Sequence, residues 1–322
     1  MKKTLTLLTV IAFLLILPTA VLAHTAGNPF VVDLLAGKDI PAGEVQVWND
    51  ADYLYVKYEL NGWCMTETHV HAADSLDGIP QTKKGNPIPG KFDYKTEHYP
   101  CVTEYTYRIP LDDWEPDTEL YIAAHAAMDE VQAMTIVSDV GDTVYGPLNY
   151  DPGLNSDDWD EATAFVAVNP LNPPWNWGDD TLPGASWIST AESTEEPCED
   201  SWRKFTETFE VPGAPIAGRL YVNADNEYWA YLGDTFIGTD NDIFDGGNSS
   251  TGVEEYNFMP AEGENTLQFV VENYHQCDGN PNGLVYKAEI TYLGEDESAW
   301  ADGDDFDGKN WATYFTYTVQ SP

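Results

Sequence analysis

The chain has 322 residues, and 14 Lys and Arg stand against 55 Asp and Glu for a formal net charge of −41. Such an excess of carboxylates repels phosphate, which excludes nucleic acid as a partner and leaves solubility, salt tolerance or divalent cations as uses of the charge. The length exceeds a typical single domain, so two domains are expected.

The N-terminus carries an address. Lys2 and Lys3 precede a mostly apolar run over 5–17, and Val21-Leu22-Ala23 ends in the small residue of a signal-peptidase site, so 1–23 reads as a signal peptide and the mature chain as starting at His24. The run is shorter than a bilayer span, and the C-terminal end is too polar to anchor. The expectation is an extracellular or cell-surface protein without membrane insertion. Four cysteines, an even number in an exported chain, favour disulfides, and their spacing pairs Cys64 with Cys101 and Cys198 with Cys277. None stands in a CxxC pair, which leaves zinc-ribbon and thioredoxin-like readings without support.

The predicted elements are strands. Val45 and Val47, then Leu54, Val56, Tyr58 and Leu60, alternate with polar or aromatic residues around a turn at Asn49-Asp50. The spacing predicts a strand over 63–72 with Cys64, Thr66, Thr68, Val70 and Ala72 on one face and His69 and His71 on the other. Residues 74–94 hold too many Pro and Gly for a central strand and predict a long ordered loop or edge excursion. Strands resume over 101–109 and 120–127. From Val144 to Ala185 the composition shifts to Pro, Asn, Asp and Trp, which reads as a connector.

The centre of the second strand-rich region is RLYVNADNEYWAYLGDTFIG. Leu220, Val222 and Ala224 alternate, Asp225-Asn226 supplies a turn, Tyr228, Ala230 and Leu232 resume the alternation, and Gly233-Asp234 turns the chain again. Phe205, Phe209 and Val211, then 267–273 and 284–292, mark further strands, and 311–319 is a last one. Short strands with turn signals between them predict β-sandwiches.

SWRKFTETFEV, LYVNADNEYWAYLGDTFIG, GENTLQFVVENY and NPNGLVYKAEITY together resemble galactose-binding-like jelly-roll domains of secreted prokaryotic proteins. WCMTETHVHAAD, IPQTKKGNPIPGKFDY, LYIAAHA and NWATYFTY resemble a family of uncharacterised secreted bacterial and archaeal proteins, in which the last phrase closes the first domain. The fold these resemblances imply is all-β, with a jelly roll at 185–293 inserted into a discontinuous sandwich of 24–150 plus 294–322, and a Pro/Trp-rich connector at 151–184. They also imply carbohydrate binding or a structural role.

Several groups are candidates for function. Trp229, Tyr228 and Tyr231, beside Asp225, Asn226 and Asp234, have the make-up of a sugar site, in which rings stack on C–H faces and amide or carboxylate oxygens take hydroxyls. The alternative is that the alternating aromatics fill both sides of a buried sheet. Asp302, Asp304, Asp305 and Asp307 in DGDDFDG have the carboxylate density of a calcium loop, with a solvated acidic turn as the alternative. Asp225, Asn226, Asp240, Asn241, Asp242 and Asp245 are a second oxygen-rich candidate, and calcium is the cofactor implied. His69 and His71, with His98 or His125, are weighed as transition-metal ligands against the reading of His125 as a hydrogen-bonded core residue. Asn248-Ser249-Ser250 is a glycosylation sequon. No G-x-S-x-G, HExxH or phosphate-cradling loop occurs. The expected function is therefore non-enzymatic recognition of carbohydrate or a cell-surface polymer. A self-assembling surface-layer or filament subunit, and an accessory module or weak hydrolase of polysaccharide, are the alternatives.

Overall fold

The structure is a computed structural model that describes residues 24–159, 161–163, 165–166, 182–190, 199–240, 252–275 and 282–321. It is nearly all β, 63% strand and 2% helix, with two antiparallel sheets. No helix among the described residues is long and apolar enough to cross a membrane. The leader at 1–23, Trp175 and Trp177, Cys198 and Cys277, Asn241, Asp242 and Asp245, and the sequon lie outside the described residues.

The N-terminal half contains β1 (Phe30–Ala36), β2 (Ile40–Asn49), β3 (Tyr53–Leu60), β4 (Trp63–Ala73), β5 (Tyr94–Val102), β6 (Glu104–Pro110) and β7 (Glu119–Val137). Alternation along β2 and β3 buries Val45, Val47, Leu54, Val56 and Tyr58, and these meet Leu120, Ile122, Ala124 and Ala126 of β7 in one core. Each Val, Leu and Ile side chain among them contributes about 1.5–3 kcal/mol by leaving water. The Tyr58 hydroxyl stays satisfied in that core by donating to the carbonyls of His69 and His125 at 2.9 and 3.2 Å.

β4 departs from the sequence expectation. A bulge between Met65 and Glu67 inserts a residue into its ladders with β5 and β7. Trp63 and Met65 therefore join Val70 and Ala72 in the core, whereas simple alternation put Cys64 and Thr66 on that face. Cys64 is bonded to Cys101. The expected strand over 101–109 is two strands, β5 and β6, separated at Thr103.

After β7 come β8 (Thr143–Leu148), β9 (Glu161–Thr163), β10 (Phe165–Val166), β11 (Ile188–Ser189), β12 (Ser201–Val211), β13 (Pro215–Asp225), β14 (Glu227–Leu232), β15 (Thr235–Thr239), β16 (Glu254–Phe258), β17 (Gly263–Asn273), β18 (Gly283–Ala301), β19 (Asp304–Asp305) and β20 (Thr313–Thr318). One sheet runs β15-β14-β17-β12-β8-β9. Facing it, β18 pairs with β13, and β13 with β16. Phe205, Phe209, Leu267, Phe269 and Tyr228 of the first sheet pack on Leu220, Val222, Leu284, Tyr286 and Ile290 of the second. The stretch from Val144 that reads as connector begins with strand β8, paired with β12. Its Gly146-Pro147 masks the signal.

Two strands of 19 residues serve both cores. β7 places Leu120–Met128 positions in the first core and Met134 and Ile136 against the second, while β18 places Leu284 to Tyr292 in the second and Ala299 and Ala301 in the first. A third, smaller core forms on the outer face of β4, β7 and β18. There Ile79 and Phe92, from the Pro/Gly-rich loop after β4, cover Ala73, Ala123 and Trp300 together with Phe306 and Ala312. That loop is ordered, with single 3-10 turns at Leu76–Gly78 and Pro89–Lys91. It lies so close to the stretch after β18 that a Cβ on Gly85 (φ +80) would sit 3.0 Å from Asp307 and Gly308.

Candidate functional site

The central stretch folds differently from the run of tight turns expected. Gly233-Asp234 is a two-residue hairpin turn, with Leu232 opposite Thr235 and Gly233 at φ +51. Asp225-Asn226 is instead a crossing between sheets: β13 pairs with β16 and β18, whereas β14 pairs with β15 and β17. The physical reason lies in β13, whose Leu220, Val222 and Ala224 face the same core as Tyr228 and Ala230 of β14 from the opposite side. A hairpin would have put both sets on one sheet.

This crossing decides where each side chain points. Tyr228 is buried in the core and its hydroxyl meets the Glu254 carboxylate and the Tyr256 hydroxyl. Trp229 and Tyr231, one residue out of phase, lie on the outer face of the six-stranded sheet, half-buried. Asp225 is buried at the end of β13. The Asn226 backbone N–H donates to the Glu272 carbonyl at 3.0 Å, and its side-chain oxygen accepts from the Tyr274 N–H at 2.7 Å. Asp234 is exposed in the turn and accepts from the Asn155 amide at 3.1 Å.

Registers turn that outer face into ordered rows. Glu227 stands opposite Glu272, and Glu272 opposite Trp202. Trp229 stands opposite Val270, Val270 opposite Lys204, and Lys204 opposite Tyr145. Tyr231 stands opposite Gln268, and Gln268 opposite Thr206. Phe236 of β15 packs edge-on against Tyr231 at 5.6 Å. The loop at 149–159 crosses this face. Its Leu154 carbonyl accepts from Lys204 Nζ at 3.3 Å, Asn155 reaches Asp234, and Trp159 is buried with its ring 5.6 Å from Lys204 Nζ. Lys204 also lies 4.7 Å over the Tyr145 ring, a cation–π contact.

The first row is electrostatically strained. The Glu272 carboxyl is pushed up to about 7, first by burial and then by the negative charges of Glu227, Asp200 and Asp151, although the Trp202 indole donates to it. The Glu227 carboxylate accepts from the Tyr274 hydroxyl, whose own proton is held more tightly by burial and by that bond. Asp200 accepts from the His275 backbone N–H at 2.9 Å. Aromatic faces, several unneutralised oxygens and a wall formed by a loop therefore share one surface.

Sequence reasoning reached Trp229 and Tyr231 but missed Trp202, Glu227, Glu272, Gln268 and Lys204. Each belongs to an alternating strand, which shows only that it shares a face with its second neighbours. Which strands adjoin is set by pairing of distant segments.

The other candidate groups are placed as follows. Asp302, Asp304, Asp305 and Asp307 are all exposed, and Asp304 and Asp305 are consecutive strand residues paired with Tyr314 and Thr313, so their side chains diverge. Asp240 is buried, its N–H donating to the Tyr228 carbonyl at 3.3 Å. Among the described residues no group of three or more His, Cys, Asp or Glu is placed to hold a metal ion. His71 contacts the Gly78 carbonyl at 3.1 Å, and His98 the Thr68 hydroxyl at 3.0 Å. Only His69 and His125 of the four histidines meet, at 3.2 Å.

Fold and site define an all-β protein with an aromatic and carboxylate-bearing sheet face. No protein-family model matches the sequence, and no curated protein matches it. Solved structures with some likeness include an alpha-L-rhamnosidase from Streptomyces avermitilis complexed with L-rhamnose, at 16% identity and a TM-score of 0.28 over 90% of this chain and 27% of that one. A lectin from Pleurotus ostreatus in complex with GalNAc is similar at 14% identity and a TM-score of 0.28, over 85% of this chain and 84% of the lectin. A GH31 alpha-xylosidase from Xanthomonas citri follows at 8% identity and a TM-score of 0.25, over 88% of this chain and 39% of that one. The chain spans only 27%, 29% and 34% of the three rhamnosidases it matches.

Proposed function

We propose that this is an exported carbohydrate-binding protein whose glycan lies along the outer face of the six-stranded sheet and is held there without being cleaved. The reading rests on the in-register rows that set half-buried Trp202, Trp229 and Tyr231 beside Glu227, Glu272 and Gln268. Rings of this kind stack on the C–H faces of sugars, and the oxygens between them accept hydroxyl hydrogen bonds. Export is supported by the leader-like N-terminus and by the Cys64–Cys101 disulfide. Calcium, if it takes part, does so as a structural ion.

The test is binding of mature 24–322 to a polysaccharide and glycan panel, with calcium and then with a chelator. Binding that is lost in Trp229→Ala, while thermal stability is kept, supports the reading. Binding unchanged in Trp229→Ala and in Trp202→Ala removes it from this face. No binding under either condition favours a self-assembling surface subunit, to be sought as filaments or sheets in the purified protein.

A further inference from the structure

We propose that Ser298 is a nucleophile activated by His125, with His69 and Glu67 as positioning residues behind it, and that this second site hydrolyses esters carrying a small acyl group. It lies on the outer face of β4, β7 and β18, in the half of the molecule that does not carry the glycan face.

Four residues on three strands far apart in sequence are joined by register. Glu67 stands opposite Ala127 and Ala127 opposite Ser298, while His69 stands opposite His125 and His125 opposite Trp300. The contacts then form a single chain. Ser298 Oγ lies 2.8 Å from His125 Nε2, His125 Nδ1 lies 3.2 Å from His69 Nδ1, and His69 Nε2 lies 3.0 Å from Glu67 Oε1. Ser298 is exposed and His69 is buried, so the chain runs from a solvent-facing hydroxyl beneath the surface and out again to a carboxylate.

The direction of every hydrogen bond follows from one end. The Glu67 carboxylate only accepts, so His69 Nε2 carries the hydrogen and its Nδ1 is a lone pair. His125 must then donate from Nδ1, which leaves its Nε2 as the lone pair that receives the Ser298 hydroxyl hydrogen. This is the relation of nucleophile, base and orienting group that activates a serine, here with a second imidazole between base and carboxylate. The extra imidazole has a physical use. Burial, and then the neighbouring His69, pushes His125 down to about 3, so His125 holds a proton poorly by itself. As it takes one at Nε2 it can pass its Nδ1 hydrogen to His69, where the charge lies 3.0 Å from Glu67. Burial, which on balance holds His69 below its ordinary value, opposes a charge there first and Lys95, opposite it on β5, adds to this, while the Glu67 carboxylate favours it.

The surroundings admit a small acyl group. Ala127, between Glu67 and Ser298 in the register, carries only a methyl beside the hydroxyl, and the buried Trp300 ring, 4.7 Å from the His125 ring, takes up the space on the other side, which limits the acyl group to a small one. In the reaction Ser298 Oγ bonds to the ester carbonyl carbon as its proton moves to His125 Nε2. The carbon–oxygen bond to the alcohol then breaks, the alcohol oxygen takes the proton from Nε2, and the hydrogen on His69 returns to His125 Nδ1. Water attacks the acyl-serine by the same route, its proton passing through Nε2 to Ser298 Oγ, and the carboxylic acid leaves.

The experiment treats mature protein with a fluorophosphonate probe and with 4-nitrophenyl acetate, and locates the adduct by mass spectrometry. The expected result is an adduct on Ser298 and ester hydrolysis that Ser298→Ala removes. His125→Ala should slow labelling by about 10²-fold or more, the usual share of a general base. Because His125 packs on Trp300 and its loss could unfold the region, Glu67→Gln is the companion variant at a side chain 41% exposed. It keeps the fold, slows labelling less, and moves the acid limb of the pH profile to lower pH, because without the Glu67 carboxylate the imidazolium is less stabilised and gives up its proton at lower pH. No adduct on Ser298 would overturn the proposal, as would equal labelling of wild type, His125→Ala and Glu67→Gln. Glycan binding is unaffected in all these variants, so this proposal and the glycan reading fail separately.

Discussion

Two outward faces, both made of antiparallel strands over an apolar core, are finished in opposite ways. Around Ala73, Ala123 and Trp300 of β4, β7 and β18 the chain covers its own sheet and leaves Ser298 exposed beside the cover: Ile79, Phe92, Phe306 and Ala312 close over Trp300 and Ala123, and His71 finds the Gly78 carbonyl. On β14, β17 and β12 three aromatic rings remain half-exposed, and carboxylates crowd until Glu272 resists ionisation. A covered face lowers the free energy of the folded chain by itself. A face left with strained charges and open rings is stabilised further by whatever binds it or removes a charge from it.

The sharpest way to break this comparison is to truncate one tryptophan on each face. Trp300→Ala, which empties the third core, should cost about 3–5 kcal/mol in chemical denaturation. Trp229→Ala should cost under about 1 kcal/mol while removing glycan binding. Equal stability losses would mean that Trp229 is core. Replacing Cys64 and Cys101 by Ser should cost about 2–4 kcal/mol, because the bond closes a loop of sequence separation 37. Glycan binding, on the other half, should be unchanged.

The two faces should also respond to pH with opposite sign. His125 is held down to about 3 from 6.5, so the stability tied to its neutral form is present above pH 6.5 and is lost as pH falls toward 3. Glu272 is raised to about 7 from 4.5, so its contribution is present below pH 4.5 and is lost as pH rises through 7. Asp142, buried and pushed up to about 7, adds to the second effect from inside the sandwich. Melting temperatures from pH 3 to 9 should show Glu272→Gln gaining about 2 °C at pH 8 and nothing at pH 4. His125→Gln should flatten the acid limb. The smallest effect expected is that of Asp234→Ala, which frees Asn155 from the turn. It should cost about 0.5 kcal/mol, yet loosen the 149–159 loop enough to raise its hydrogen-exchange rate.

The all-β class was legible because period-two alternation in segments such as YLYVKYEL and LYVNADNEYWAYL depends only on near neighbours. The same pattern located Trp229 and Tyr231 and the turn at Gly233-Asp234. It failed at β4, where the bulge shifts the period between Met65 and Glu67. It failed again at Asp225-Asn226, because a polar dipeptide between two strands reads alike whether the chain reverses within a sheet or crosses to the facing one.

By itself, then, the sequence determined the alternation outside the β4 bulge, the hairpin turn at Gly233-Asp234, the sign of the charge and the cysteine that could meet Cys64. Tertiary structure alone decided which strands are neighbours, and hence that Trp202 lies beside Glu272 and that Ser298, His125, His69 and Glu67 form one chain. The reason is the geometry of a sheet: its faces are fixed by local period, but its rows are composed by hydrogen bonds between distant segments, such as Leu34 opposite Ala301, and Glu67 and Ser298 on either side of Ala127.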